Sequence, residues 1–392
     1  MTRESIPVER ARAATDLVLV GGGHAHVQVL RALARRPLPG VRVRVVLDRA
    51  EAVYSGMVPG FVAGDYRACE LTIDVAALAR RARADVILAA ATRVDPVGRR
   101  IELAGAEPVA YGVASLDVGA SLRGLELPGV RAHALATRPI SDLVDALDAR
   151  IARAAAPARA TPLRVALVGG GAAGLELAFC VEARLRRAGH AVAVTLYESE
   201  RELSLPRGLA RRALSEAQER GVRIRTGAAV TRVDPDALWL GAERVAAELV
   251  VWSTGAAPWP WLAASPLPRD PQGFVRARPT LQVVGHDDLF AAGDCVALEG
   301  SPWVPKAGVH AVREGPVLDA NLRARLAGGG LRTHRPQRDF LTLLNLGDRR
   351  ALGARTGLSA RGRWVWWLKD RIDRRFVRRF QVDAANAVAS SA

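Results

Sequence analysis

Two stretches of one design predict an α/β protein. Each is an apolar, strand-like run that enters a glycine turn and continues with helical periodicity: DLVLVGGGHAHVQVL, residues 16–30, and LRVALVGGGAAGLELAFCVEARL, residues 163–185. An acid follows each at the end of the next apolar run, Asp48 and Glu198. Together these predict two Rossmann-like, three-layer dinucleotide-binding domains, the second inserted in the first, plus a C-terminal cap. The expected division is 14–135 and 270–327 for the outer domain, 136–269 for the inserted one and 328–392 for the cap.

A chain of 392 residues, 49% hydrophobic, has room for more than one core. Its formal charge of +16 would suit an anionic partner, but the only lysines are Lys306 and Lys369 and the arginines are spread over most segments. That reads as a compositional bias, so no nucleic-acid partner is expected. Cys69, Cys180 and Cys295 stand alone, which excludes a disulfide framework and a zinc or other metal site and fits a reducing compartment. The first twenty residues are charged throughout and no apolar run reaches eighteen residues. The expectation is a cytoplasmic chain that neither carries an export signal nor spans a membrane.

In the first fingerprint Gly21 makes the tight turn and Gly23 lets the backbone approach a pyrophosphate at the helix N-terminus. His26 stands where the third glycine belongs. That position governs helix-to-strand packing, so the expectation is a helix moved outward over an intact anion site. Asp48, 22 residues after His26, is placed for a ribose hydroxyl. In the second fingerprint Gly169, Gly171 and Gly174 complete GxGxxG, and Glu198 follows 24 residues after Gly174. A carboxylate there bonds a ribose diol and repels a 2′-phosphate, favouring NADH over NADPH, with Arg201 as the counter-signal.

Two dinucleotide sites in one chain suggest a relay from a nicotinamide to a flavin. The segments LDVGAS (116–121) and VVWSTGAAP (250–258) read as strands with small-residue turns at Gly119 and Gly255, able to cross close to a cofactor or to the other domain. In TLQVVGHDDLFAAGDCVAL a strand at 289–292 delivers Gly293 and Asp294, an acid that can hold a ribityl hydroxyl. Pro305 predicts the first turn of a helix that runs to Gly328, its amides facing the flavin's pyrimidine edge.

The set LVGGGHAH, VYSGMVPGFVAG, VGGGAAGLELA, STGAAPW, LFAAGDC, PKAGVHAVREGPVL and GRWVWWLKDRIDRRFVRRFQ resembles the pyridine nucleotide-disulfide oxidoreductase superfamily. It is most similar to the type II NADH dehydrogenase-like branch sometimes fused ahead of selenide, water dikinase, and the resemblance covers residues 16–381. A histidine after GGG is routine there. The resemblance implies FAD on Gly21, Gly23, His24, His26, Asp48, Gly119, Gly293 and Asp294, with the flavin lined by residues 54–60, including Tyr54, Ser55, Gly56 and Pro59. It implies NAD(P)H across Gly169, Gly171, Gly174, Glu198 and Gly255. Glu176 resembles a glutamate near the nicotinamide, and Lys306 is a candidate to neutralise reduced flavin. Sulfide- and disulfide-type reactions are not expected, because no two cysteines stand together.

Within GRWVWWLKDRIDRRFVRRF, Val365, Leu368, Ile372, Phe376 and Phe380 form an apolar stripe flanked by Trp364 and Trp367, with Lys369, Arg371, Arg374 and Arg378 turned away. Such a helix (Trp364–Phe380) suits the inner face of a membrane, where a quinone would be the electron acceptor. The alternative is a stripe packed on the FAD domain or in a homodimer. The reading that results is hydride transfer from NADH to FAD and then to a quinone. A reductase of a soluble acceptor and a non-catalytic flavoprotein stay open.

Overall fold

The computed structural model describes residues 15–155 and 161–382. Thr15–Val20 and Val41–Leu47 pair in parallel, and the sheet they begin has the order Leu289–Ala291, Val113–Leu116, Thr15–Val20, Val41–Leu47, Asp85–Leu88. A second all-parallel sheet repeats this order with Ala134–Ala136, Leu249–Trp252, Leu163–Val168, Val192–Tyr197 and Arg223–Arg225. Strand Ala134–Ala136 straddles the expected boundary at 135/136 and belongs wholly to the second sheet.

The central strands, Thr15–Val20 and Val113–Leu116 in one sheet and Leu163–Val168 and Leu249–Trp252 in the other, are near-continuous apolar runs because both faces of each sheet are covered there. Helices His26–Arg35 and Ala172–Arg187 follow the two fingerprint strands, Thr15–Val20 and Leu163–Val168. The opposite face of each sheet packs in its own apolar cluster with an antiparallel three-stranded meander, residues 91–110 in one unit and 232–246 in the other. In both sheets the fingerprint strand lies between the strand that follows it in the chain and the strand that enters the turn at Gly119 or Gly255. That is the switch point at which open α/β sheets bind ligands, beyond the strand C-termini.

The turns after Gly119 and Gly255 meet each other: Ser121–Leu122 pairs with Ala256–Ala257 and so ties the two units together. Beyond the helix Gly308–Ala327, a three-stranded sheet (Thr342–Asn345, Ala351–Arg355, Leu358–Gly362) and the helix Arg363–Arg378 form the cap. The long helix starts at Gly308 rather than at Pro305. A Cβ on Gly308 would stand 3.0 Å from the Ser55 hydroxyl, so the helix begins where glycine permits close approach to the 54–56 turn.

No helix of the described residues is long and apolar enough to cross a membrane.

Candidate functional site

At the first fingerprint Gly21 adopts φ +93°, and a Cβ on it would come within 2.4 Å of the Asp117 carbonyl oxygen. Asp117 follows the strand Val113–Leu116, and its carboxylate accepts the Ala25 N–H at 2.8 Å and the His26 N–H at 2.9 Å. His26 is fully buried, with Nδ1 2.7 Å from the Gly21 carbonyl and Nε2 2.9 Å from the Ser115 hydroxyl. Burial holds its pKa down to about 4, so the ring is neutral. A carbonyl can only accept, so Nδ1 donates to Gly21 and Nε2 accepts from Ser115. His26 therefore braces the turn from inside the fold.

The amides of Gly22 and His24 have no partner among the described residues, and both residues line a cavity of about 390 Å³. The same cavity reaches Asp48 and Arg49 at the end of Val41–Leu47, Gly119, and Arg138 with Asp294. Free amides for a diphosphate, an exposed acid for a ribose, two guanidiniums and a further acid are a donor set that fits FAD in extended form. Arg138 pairs with Asp294 at 2.7 Å, and the Gly293 N–H donates to Glu314 at 2.6 Å.

At the second fingerprint Gly169 has φ +116° and lies against the Ser253 carbonyl. A Cβ on Gly174 would sit 1.9 Å from the Gly169 oxygen, which demonstrates the close packing that this position requires. Gly171 faces open space, and the first-turn amides of the helix that it caps lack intrahelical acceptors. Glu198 is buried; it accepts the Gly170 N–H at 2.5 Å and the Glu200 N–H at 2.9 Å. It thus steadies the turn and keeps lone pairs for a ribose. Gly255 borders Arg123.

The two sites meet under the cap helix. Tyr54 stacks on Phe376 at 4.5 Å and meets the His24 ring edge-on at 5.3 Å. Its hydroxyl donates to Asp373 at 3.2 Å, and Asp373 pairs with Lys369 at 2.8 Å. Lys369 also donates to the Gly56 carbonyl at 2.6 Å. Glu176, from the second fingerprint helix, accepts the Asn345 N–H at 2.7 Å. Burial raises its carboxyl to about 7, against the pull of Lys369. Burial works against the Lys369 ammonium, yet Asp373 and Glu176 outweigh it and hold its pKa above the usual lysine value.

Three expectations change: His26, expected on FAD, is fully buried and outside the cavity lining, its ring held by Gly21 and Ser115. Lys369 lies on the buried side of the cap helix, 7% exposed, whereas Ile372 is 43% exposed. The docked row is Val365, Lys369, Asp373, Phe376, Val377 and Phe380, because Tyr54 and the Gly56 carbonyl offer that helix polar partners. Lys306 stands apart from the cavity, over the Phe274 ring at 4.1 Å, with its ammonium on the Val296 carbonyl. Pro59 is buried in the helix Val58–Ala63, and Ser55 borders the cavity.

Asp117, Arg138 and the Lys369–Asp373 pair are the residues that sequence reasoning missed. Their signals were faint: an acid closing the apolar run 113–116, and an oppositely charged i,i+4 pair on the side of the cap helix read as turned to solvent. The three cysteines are free; Cys180 and Cys295 are buried and their thiols are pushed up by burial, Cys295 to about 12.

The family model for pyridine nucleotide-disulphide oxidoreductases matches residues 15–315. A Bacillus subtilis NADH dehydrogenase-like protein is 24% identical over 302 residues, covering 75% of this chain and 80% of its own. A type II NADH:quinone oxidoreductase of Haemophilus influenzae is 28% identical over 216 residues, 50% of this chain and 47% of its own. The solved sulfide:quinone oxidoreductase of Aquifex aeolicus superposes with a TM-score of 0.77 at 16% identity, covering 94% and 91% of the two chains, a likeness of fold.

Proposed function

The chain belongs to the pyridine nucleotide-disulphide oxidoreductase family, and on that premise we propose that it oxidises NADH and reduces a quinone at a membrane surface. It is an FAD-dependent oxidoreductase of the type II NADH dehydrogenase-like kind. When bound, FAD supplies hydride acceptance from NADH and electron release to the second substrate. The observation that carries the reading is the junction where His24, Tyr54 and Gly56 of one cradle meet Glu176 of the other beneath the cap helix.

The residues at that junction position and protonate. Glu198 excludes a 2′-phosphate, which favours NADH. Tyr54, held by Asp373 and Phe376, gives the flavin-lining turn a fixed wall. Glu176, with a carboxyl near 7, can hold or release a proton at neutral pH beside the acceptor. Cys180 and Cys295 are protonated and buried, so thiolate chemistry is not part of the proposal.

The quinone is favoured by the outer side of the cap helix. Trp364, Trp367 and Ile372 are 61%, 58% and 43% exposed, beside Arg363, Arg371 and Arg375. Aromatic rings at headgroup depth with arginines around them suit an anionic bilayer, at about 1 kcal/mol per basic residue. Trp364→Ser with Trp367→Ser is expected to abolish sedimentation with anionic vesicles while leaving flavin bleaching by NADH unchanged. Sedimentation equal to the parent's would remove the membrane contact.

The whole reading is tested by anaerobic titration of the flavin-loaded protein with NADH and then NADPH, followed by addition of a quinone. Stoichiometric bleaching by NADH first, with colour restored by quinone, is the expected result. Bleaching without restoration points to a soluble acceptor, and a flavin that stays oxidised ends the oxidoreductase reading.

A further inference from the structure

The two fingerprint units superimpose as designs, and they differ at two places that face each other. In the inserted unit the helix-packing residue is Gly174, and the residue after the strand Leu249–Trp252 is Ser253. In the outer unit the counterparts are His26 and Asp117, for Val20 is paired with Leu116 as Val168 is with Trp252. The first glycine packs alike in both, Gly21 on the Asp117 carbonyl and Gly169 on the Ser253 carbonyl.

A histidine cannot approach the strand as Gly174 does. The room it opens between helix and strand is filled by its own ring and by the Asp117 carboxylate, which takes the Ala25 and His26 amides. Cβ atoms built on Gly23 and Gly293 would fall 2.2 Å and 2.6 Å from that carboxylate. Two of the glycines credited to cofactor contact thus also make room for Asp117.

We propose that Asp117 is a positioning residue for FAD: it joins the glycine turn, the first helix and the Gly293 turn from beneath, and it takes up a proton from solvent when the diphosphate binds above it. This rests on the FAD reading of the cavity. The proton follows from charge. Two phosphates at the same helix N-terminus repel a carboxylate that already occupies part of that field. The other groups facing Asp117 do not relieve it. Glu314 comes from the long helix and Asp294 from the Gly293 turn, with Arg138 already committed to Asp294. Cys295 and the neutral His26 add no positive charge, and the Lys306 ammonium keeps its charge on the Val296 carbonyl but acts on Cys295, Asp294 and Glu314 rather than on Asp117.

Burial already raises the Asp117 carboxyl to about 7 without cofactor, and the diphosphate raises it further. The bound state then holds more protons than the free state, so affinity for FAD is highest below the free value and falls as pH rises past it. One fully linked proton weakens binding about tenfold per pH unit until the bound-state value is passed.

The experiment is calorimetric titration of apoprotein with FAD from about pH 6 to pH 9, in buffers of unlike ionisation enthalpy, on the parent, Asp117→Asn and Glu314→Gln. The expected result is close to one proton taken up by the parent near pH 8, lost in Asp117→Asn and kept in Glu314→Gln. Binding without proton uptake by the parent, or uptake unchanged in Asp117→Asn, overturns the inference and leaves the FAD reading standing. A parent that binds no FAD at any pH overturns the cofactor reading itself. Should Asp117→Asn fail to fold, Asp117→Ser combined with His26→Gly copies the arrangement of the inserted unit and is expected to bind FAD without proton uptake; uptake retained there also overturns the inference.

Discussion

Lys369→Met is expected to lower the stability of the cap by about 3–5 kcal/mol, the cost of leaving one member of a buried ion pair without its partner. Lys369 and Asp373 are 7% and 5% exposed. Without the ammonium, Asp373 keeps only the Tyr54 hydroxyl, and the Gly56 carbonyl loses its donor. Urea unfolding followed by tryptophan fluorescence should therefore show an early transition, since Trp364, Trp366 and Trp367 all lie on this helix. Lys369→Met with Asp373→Leu should recover most of the loss, because a buried pair replaced by apolar side chains is often neutral. A single variant as stable as the parent would mean that the pair is solvated.

The pH dependence of this contribution follows from the direction of the shift. Lys369 is held above its ordinary 10.5, so its stabilisation is complete below that value and fades only as pH rises through the higher, folded-state value. Alkaline solution is where the cap should loosen.

Gly174→Ala is expected to give a protein that keeps its flavin and loses NADH. The added Cβ would stand 1.9 Å from the Gly169 carbonyl, and Gly169 is pinned at φ +116° against Ser253. The helix must withdraw, at a cost of about 1–3 kcal/mol for overpacking, and its amides withdraw with it. That range predicts a rise of about five- to 150-fold in the NADH concentration needed to bleach the flavin, measured by stopped flow, with FAD content unchanged. The outer unit should behave otherwise at the matching residue: His26→Ala removes two hydrogen bonds without a clash and weakens FAD retention instead. Parent-like use of NADH by Gly174→Ala would remove the second fingerprint as the nicotinamide site.

Much of this architecture was legible in residue order. Both strand–glycine–helix units, the acids at 48 and 198 and the Gly293–Asp294 turn are read within some thirty residues each, because glycine at a positive φ or at a close approach leaves a mark that no other residue replaces. The helix start was misplaced by three residues because proline at a first turn is a preference, whereas the contact of Gly308 with Ser55 is a spatial necessity. Lys306 was expected near the flavin by its place in the chain, but its ammonium sits over the ring of Phe274, a residue in another segment.

By itself the sequence determined the two fingerprints, their order and the chemistry of their turns, all of which rest on local backbone geometry. Only the tertiary structure decided which charged side chains meet. Asp117 reaches the first helix across 92 residues, and Asp373 reaches Tyr54 across 319. A helical stripe shifted by one residue turns about 100°, so whether Lys369 or Leu368 faced inward depended on what the neighbouring surface offered. That surface, with the Tyr54 hydroxyl and the Gly56 carbonyl on it, exists only once the chain has folded.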